Sequence, residues 1–224
     1  GGDLFDAITR SVRFSEEVAS KMVFDMASAL YYLHSRSIMH RDLKPENFLV
    51  LRHRDGRVTL KLADFGLAME VNKPEYTICG TPTYIAPEIL LEVGYGLPVD
   101  IWALGVITYI LLCGFPPFKG VKKSQTDLFR RIKEGTFEFV RPYWDRISSP
   151  AMNMILRTLV VDQKRRCQAI DILQDPWVYS NGKPPLPTDP GFDVFETSRQ
   201  AYRDELESYA KRIKCTTSNL QSKA

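Results

Sequence analysis

The chain has 224 residues, 44% hydrophobic and 25% charged, with a formal net charge of +3. That is enough apolar material for one packed domain and a tail, and the charge is too mild and too interspersed for a dedicated nucleic-acid or membrane surface. Cys79, Cys113, Cys167 and Cys215 stand far apart with no pair at metal-ligand spacing, which fits reduced thiols in the cytoplasm.

Gly1 to Asp6 has neither the basic region nor the apolar core of a signal peptide. Leu4, Phe5 and Ile8 predict a short helix. Ser15 followed by Glu16 and Glu17 predicts a capped helix start, and Val18, Met22, Met26, Leu30 and Leu33 continue it at helical spacing over about 16–34. Phe48–Leu51 and Val58–Leu62 read as two strands around a turn at Asp55-Gly56, a hairpin that would hold Asn47 near Asp64. Residues 67–85 show no sustained period and hold Pro74, Gly80 and Pro82; a loop of that length is uncommon unless functional. Asp100–Cys113 is apolar nearly all round and is expected at the centre of the core. The apolar run Ile101–Phe115 stops at Pro116-Pro117, short of the roughly 20 residues that span a bilayer. Further helices are expected over about 124–134, 150–160 and 168–174, with Asp175-Pro176-Trp177 closing the series. Residues 179–193 read as an extended linker. The remainder, 194–224, is a tail in which Phe195, Tyr202, Leu206, Tyr209 and Ile213 mark an amphipathic helix over about 194–214.

Three stretches carry the chemistry. His40-Arg41-Asp42-Leu43-Lys44-Pro45-Glu46-Asn47 sets a carboxylate and a side-chain amide five residues apart, with a lysine between them; Asp64-Phe65-Gly66 and Ala86-Pro87-Glu88 follow in that order. Together they resemble the signature set of protein kinases. Phosphoryl transfer passes through a loose transition state, so a catalyst mainly positions groups and neutralises charge. On this reading Asn47 and Asp64 supply the oxygen ligands that Mg²⁺ takes, a set poorly suited to zinc. Asp42 orients the acceptor hydroxyl and takes its proton, and Lys44 sets a point charge where the moving phosphoryl group becomes negative. Taken singly, each has a plainer alternative: a turn hydrogen bond for a loop Asp or Asn, a solvated face for a Lys. The combination and its spacing favour the chemical reading. His34 and His53 have no partners in sequence and read as surface residues.

Residues 1–178 are similar to the C-terminal lobe of eukaryotic protein kinases. Asp42–Asn47 and Gly80-Thr81-Pro82-Thr83-Tyr84 are serine/threonine-type forms. Gly1–Phe5, Tyr76–Pro82, Gly94-Tyr95-Gly96 and Ile110–Phe118 resemble the calcium/calmodulin-dependent group, and with Pro142-Tyr143-Trp144-Asp145 the likeness is greatest to the doublecortin-like kinases. The resemblance implies a mainly α (α+β) protein-kinase-like fold, a large helical C-terminal lobe with a small β-hairpin and no N-terminal lobe. It implies ATP and Mg²⁺ as cofactors, protein substrates bearing Ser/Thr, and no nucleic-acid or membrane partner. It also implies that His40 supports Phe65, that Asp100 holds the catalytic loop from the central helix, and that Thr81 hydrogen-bonds near Asp42 and Lys44. Glu88 and Arg166 become a buried ion pair, the alternative for Arg166 being one solvated member of Lys164-Arg165-Arg166. Asp3, Leu49 and Asp64 fall to the nucleotide site, and Asp3 and Glu46 to substrate arginines upstream of the target hydroxyl. Thr77 stands at the activation-loop position, where a phosphate would pair with Arg41.

A glycine-rich strand-turn, a lysine on an early strand and a helix glutamate complete such machinery. Gly94-Tyr95-Gly96 lacks the third glycine, and Lys61 lies on the wrong strand, three residues before Asp64. The chain is therefore expected to start at the hinge, to transfer phosphate poorly on its own, and to expose apolar surface where the absent lobe packs. Any cytoskeletal association falls to absent domains. The tail reads as a helix that packs on its own domain or pairs with another, or, on the resemblance, as a segment that inhibits. Its five basic and four acidic residues between Phe195 and Lys214 argue against a calmodulin target. The alternative from another class is a non-catalytic scaffold or pseudokinase-like fragment.

Overall fold

The computed structural model describes residues 2–11, 14–54, 57–120 and 124–180. The turn at Asp55-Gly56, most of the expected linker and the tail helix lie outside the described residues. A short strand β1 (Gly2–Asp3) leads into α1 (Leu4–Ser11) and then α2 (Glu16–His34). The Ser15 hydroxyl accepts from the Val18 amide and Glu16 and Glu17 fill the first turn, so α2 begins where its cap dictates. Its buried stripe, Ala19, Met22, Val23, Met26, Ala27, Leu30 and Leu33, keeps helical spacing.

Strands β2 (Ile38–Met39), β3 (Phe48–Arg52), β4 (Val58–Leu62) and β5 (Met69–Glu70) follow. The β3–β4 hairpin pairs Phe48 with Leu62 through to Arg52 with Val58, and β1 adds to its other edge by pairing Gly2 with Val50 and Asp3 with Leu49. β2 and β5 form a separate antiparallel pair. The expected loop 67–85 is thus not featureless. It contains β5, a bridge between Glu75 and Tyr95, and a 3-10 turn at Pro82–Tyr84. No hydrophobic period announces such short backbone pairings.

Beyond the loop come α3 (Pro87–Leu91), α4 (Pro98–Cys113), α5 (Gln125–Glu134), α6 (Ser149–Thr158), α7 (Ala169–Leu173) and α8 (Pro176–Tyr179). Every residue of α4 from Val99 to Cys113 is buried, and Gly114 ends the helix in the left-handed region. Helices α2 and α6 pack on α4, and α2 also meets β4, α7 and α8. At the α4–α6 crossing a side chain on Gly105 would run into the hydroxyl of Thr158, so the two backbones approach through a residue with no Cβ. Asp175-Pro176-Trp177 does not close the helical series. Pro176 occupies the first position of α8, where its missing N–H costs nothing, and the Asp175 side chain caps the Trp177 amide at 2.9 Å. The indole N–H of the buried Trp177 donates to Glu16 Oε2 at 2.8 Å and ties α8 to the start of α2. Among the described residues no helix is long and apolar enough to cross a membrane.

Candidate active site

The loop after β2 hangs from one carboxylate. Asp100, in the first turn of α4 and 1% exposed, accepts the backbone N–H of His40 at 2.9 Å through Oδ2 and that of Arg41 at 3.0 Å through Oδ1. His34 Nε2 lies 2.9 Å from the same Oδ2. His34 is therefore a partnered, half-buried residue, and His53 is half-buried too, its Nε2 meeting Thr59 Oγ1 at 2.9 Å. Their partners are 66 and 6 residues away, a distance that only folding closes. Held this way, Arg41 takes a left-handed backbone with φ 70°, an uncommon state for a residue with a side chain. Gly80, with φ 97°, passes so close that a Cβ would stand 2.9 Å from the Arg41 carbonyl oxygen.

Asp42 projects from this loop into a ring of donors. Lys44 Nζ donates to Oδ2 at 2.7 Å, Thr81 Oγ1 donates to Oδ1 at 3.0 Å, and Asn47 Nδ2 reaches Oδ2 at 3.4 Å. Burial pushes the Asp42 carboxyl upward, but the bonds from Lys44, Thr81 and Asn47 outweigh it and hold the group below the usual carboxylate range. The same contact raises Lys44 above its ordinary value, helped by the charges of Glu46 and Asp64. Around neutral pH the pair is an ion pair of carboxylate and ammonium.

Asn47 ends the 3-10 turn Pro45–Asn47 and is 5% exposed. Its Nδ2 donates to the Asp42 carbonyl at 2.8 Å, which leaves the side-chain oxygen available. Its own carbonyl accepts from the Ala63 N–H at 2.8 Å, extending the β3–β4 ladder by one step and setting Asp64 next in line. Asp64 is exposed, adopts φ 58°, and uses Oδ1 to accept from the Gly66 N–H at 3.2 Å. Two left-handed residues with side chains, Arg41 and Asp64, thus flank this site, as strain often does where chemistry is positioned. His40 is fully buried, touches the Ala63 carbonyl at 3.2 Å, and meets the Phe65 ring edge-on at 5.2 Å.

Glu88 and Arg166 pair through two parallel bonds of 2.7 and 2.8 Å, and Arg166 also donates to the carbonyls of Pro98 and Val160. Both side chains are buried, so Arg166 is not a solvated member of its basic triplet. Asp3 and Leu49 face each other across β1 and β3; Asp3 Oδ1 accepts the Asp6 amide, and Leu49 is 51% exposed. Glu46 is exposed near Tyr84. Thr77 and Arg41 do not touch directly. Both reach Glu75, which sequence reading passed over. Phe5, Leu49, Leu51 and Phe65 are each about half exposed, an open apolar surface beside the hairpin.

A family model described as the protein kinase domain matches residues 1–178. The chain belongs to the protein kinase family. Serine/threonine-protein kinase DCLK3 of Homo sapiens is 58% identical over 183 residues, covering 82% of this chain and 28% of that relative. DCLK1 of Rattus norvegicus is 56% identical over 184 residues, 82% and 42% of the respective chains. DCLK2 of Mus musculus is 58% identical over 178 residues, 80% and 24%. The chain therefore spans between about a quarter and two-fifths of the length of these curated kinases. It is a partial kinase domain in which the helical lobe dominates, as the doublecortin-like resemblance implied, and kinase domains in general use ATP and Mg²⁺.

Proposed function

We propose that this chain is the catalytic-loop half of a serine/threonine protein kinase that moves the γ-phosphate of ATP to Ser/Thr hydroxyls of proteins. The observation that carries the reading is the Asp42 carboxylate gripped by Lys44, Thr81 and Asn47 in one small volume. Held below its usual range, Asp42 is a weak base. Its part is to accept a hydrogen bond from the incoming hydroxyl, aim it, and take the proton as the new bond forms. Lys44 is the positive charge nearest that point, and Thr81 keeps the carboxylate from rotating away.

The donor set fits Mg²⁺: a free amide oxygen on Asn47 and an exposed carboxylate on Asp64, brought together by the hairpin, with no thiolate or imidazole among them. When bound, the ion neutralises phosphate charge. Leu49 and Asp3, opposite each other at the sheet edge, would contact the nucleotide. Asp3 and Glu46 would favour basic residues upstream of the target hydroxyl, and Thr77 would be the loop hydroxyl open to phosphorylation. Inhibition by the tail, a cytoskeletal association of the longer protein and a cytoplasmic location belong to the same proposal. Cys79, Cys113 and Cys167 are free thiols, which supports the last.

The test uses the longer protein with its complete catalytic domain, Mg²⁺-ATP and an Arg-x-x-Ser peptide. Asp42→Asn should lower kcat at least 100-fold with ATP binding retained, and Asp64→Asn should weaken Mg²⁺-dependent nucleotide binding. Equal phosphorylation by the wild type and both variants would sink the reading and leave the scaffold alternative.

A further inference from the structure

Glu75 lies in the loop between β5 and the Pro82–Tyr84 turn, and its carboxylate divides its two oxygens between two tasks. Oε1 accepts the Tyr76 N–H at 2.7 Å, the Thr77 N–H at 2.8 Å and the Thr77 hydroxyl at 2.8 Å. Oε2 faces Arg41 Nη1 at 4.0 Å, with the two side chains 22% and 14% exposed. The backbone of Glu75 is pinned as well. Its N–H donates to the Tyr95 carbonyl at 3.0 Å, its carbonyl accepts the Tyr95 N–H at 2.9 Å, and the Tyr95 hydroxyl donates to the Thr77 carbonyl at 2.7 Å. The backbone bonds from Thr77 and Tyr76, with the Thr77 hydroxyl, hold the Glu75 carboxyl down to about 2, so it is charged at any working pH.

Arg41 is fixed from the other side. Its amide sits on Asp100 and its Nε donates to the Leu67 carbonyl at 2.6 Å, which leaves Nη1 directed at Glu75. Arg41 is also the residue before Asp42. One carboxylate therefore joins the loop at Thr77 to the loop that carries the proposed base.

We propose that Glu75 is the resident anion of this loop, a positioning residue that orders Tyr76–Thr77 and sets Arg41 without any modification of Thr77. The Thr77 hydroxyl is already spent on Glu75. A phosphate there would place nearly two negative charges against that carboxylate, so phosphate and Glu75 compete for one position and one guanidinium. This deepens the proposed function and rests on it for its catalytic consequence, though not for the ordering itself.

The experiment crosses Glu75→Gln with Thr77→Glu. In the present chain, hydrogen exchange is followed at the Tyr76 and Thr77 amides; in the longer protein, kcat and KM for peptide and for ATP are measured. Charge-assisted bonds are about twice as strong as neutral ones. Glu75→Gln should therefore speed exchange at both amides about tenfold and lower kcat several-fold, with KM for ATP unchanged. Thr77→Glu alone should loosen the loop and lower kcat, whereas added to Glu75→Gln it should restore exchange protection and kcat. A merely structural role for Glu75 does not produce that sign reversal. Unchanged exchange in Glu75→Gln, or a Thr77→Glu effect of the same sign with and without Glu75→Gln, overturns the proposal. If the longer wild-type protein transfers no phosphate, the proposed function fails, and the exchange measurement still decides whether Glu75 orders the loop.

Discussion

Replacing Asp100 with alanine tests how the catalytic loop is held. The change strands the His40 and Arg41 amides, both in contact with a carboxylate that is 1% exposed, and frees the His34 ring. A hydrogen bond to a charged group contributes about 1.5–3 kcal/mol, and a buried donor left without a partner costs about 1–3 kcal/mol. Two such amides give a loss of about 3–6 kcal/mol, a large part of the roughly 5–15 kcal/mol that ordinarily separates folded from unfolded domains. With a urea slope of about 2–3 kcal/mol per molar, the unfolding midpoint should fall by about 1–3 M. Tryptophan fluorescence is a suitable probe, because Trp102 and Trp177 are buried in the core. His34→Ala is the control: the ring is 12% exposed, keeps access to water, and should cost about 1 kcal/mol. A midpoint within about 0.3 M of wild type for Asp100→Ala refutes the idea that this carboxylate suspends the loop.

Three other changes read different parts of the fold. Glu88→Ala leaves the Arg166 guanidinium buried and unpaired and should cost about 3–5 kcal/mol by the same denaturation assay, whereas replacing both partners with methionine should cost less. Burial lifts the Asp25 carboxyl from its ordinary 3.8 to about 6, against the Leu60 amide bond and the charges of Lys61 and His53. The folded chain then holds the extra proton between those values, so stability falls as pH rises through that window and levels above it, by at most about 3 kcal/mol at roughly 1.36 kcal/mol per pH unit. Asp25→Asn should flatten the dependence of Tm on pH between about 4 and 6, and an unchanged slope there rejects the assignment. Gly105→Ala drives a methyl into Thr158 Oγ1 and should cost about 1–3 kcal/mol, partly recovered by adding Thr158→Ala.

What the sequence made legible follows from which forces act locally. Helix α2 was readable to its ends because a Ser-Glu-Glu cap and a 3.6-residue apolar stripe are local signals. The hairpin and α4 were readable for the same reason, through short β-rich runs in the one and unbroken hydrophobicity in the other. Pro176 misled because a proline both ends helices and begins them, and only the capping bond from Asp175 distinguishes the cases. Arg166 is interchangeable with its basic neighbours by spacing alone; only the kinase resemblance paired it with Glu88, 78 residues earlier, and the fold bears that pairing out. His34 with Asp100, and Glu75 with Arg41, are joined by tertiary geometry alone, and no spacing along the chain encodes them.

The sheathed state of α4 has a practical corollary for anyone wishing to improve this polypeptide as a laboratory reagent. A helix touched by neighbours on every side offers no neutral position for redesign, so each replacement there demands a matching one elsewhere. The bare outer side of the hairpin is the opposite case. Swapping Leu51 for a polar residue should improve handling in solution while leaving the interior untouched.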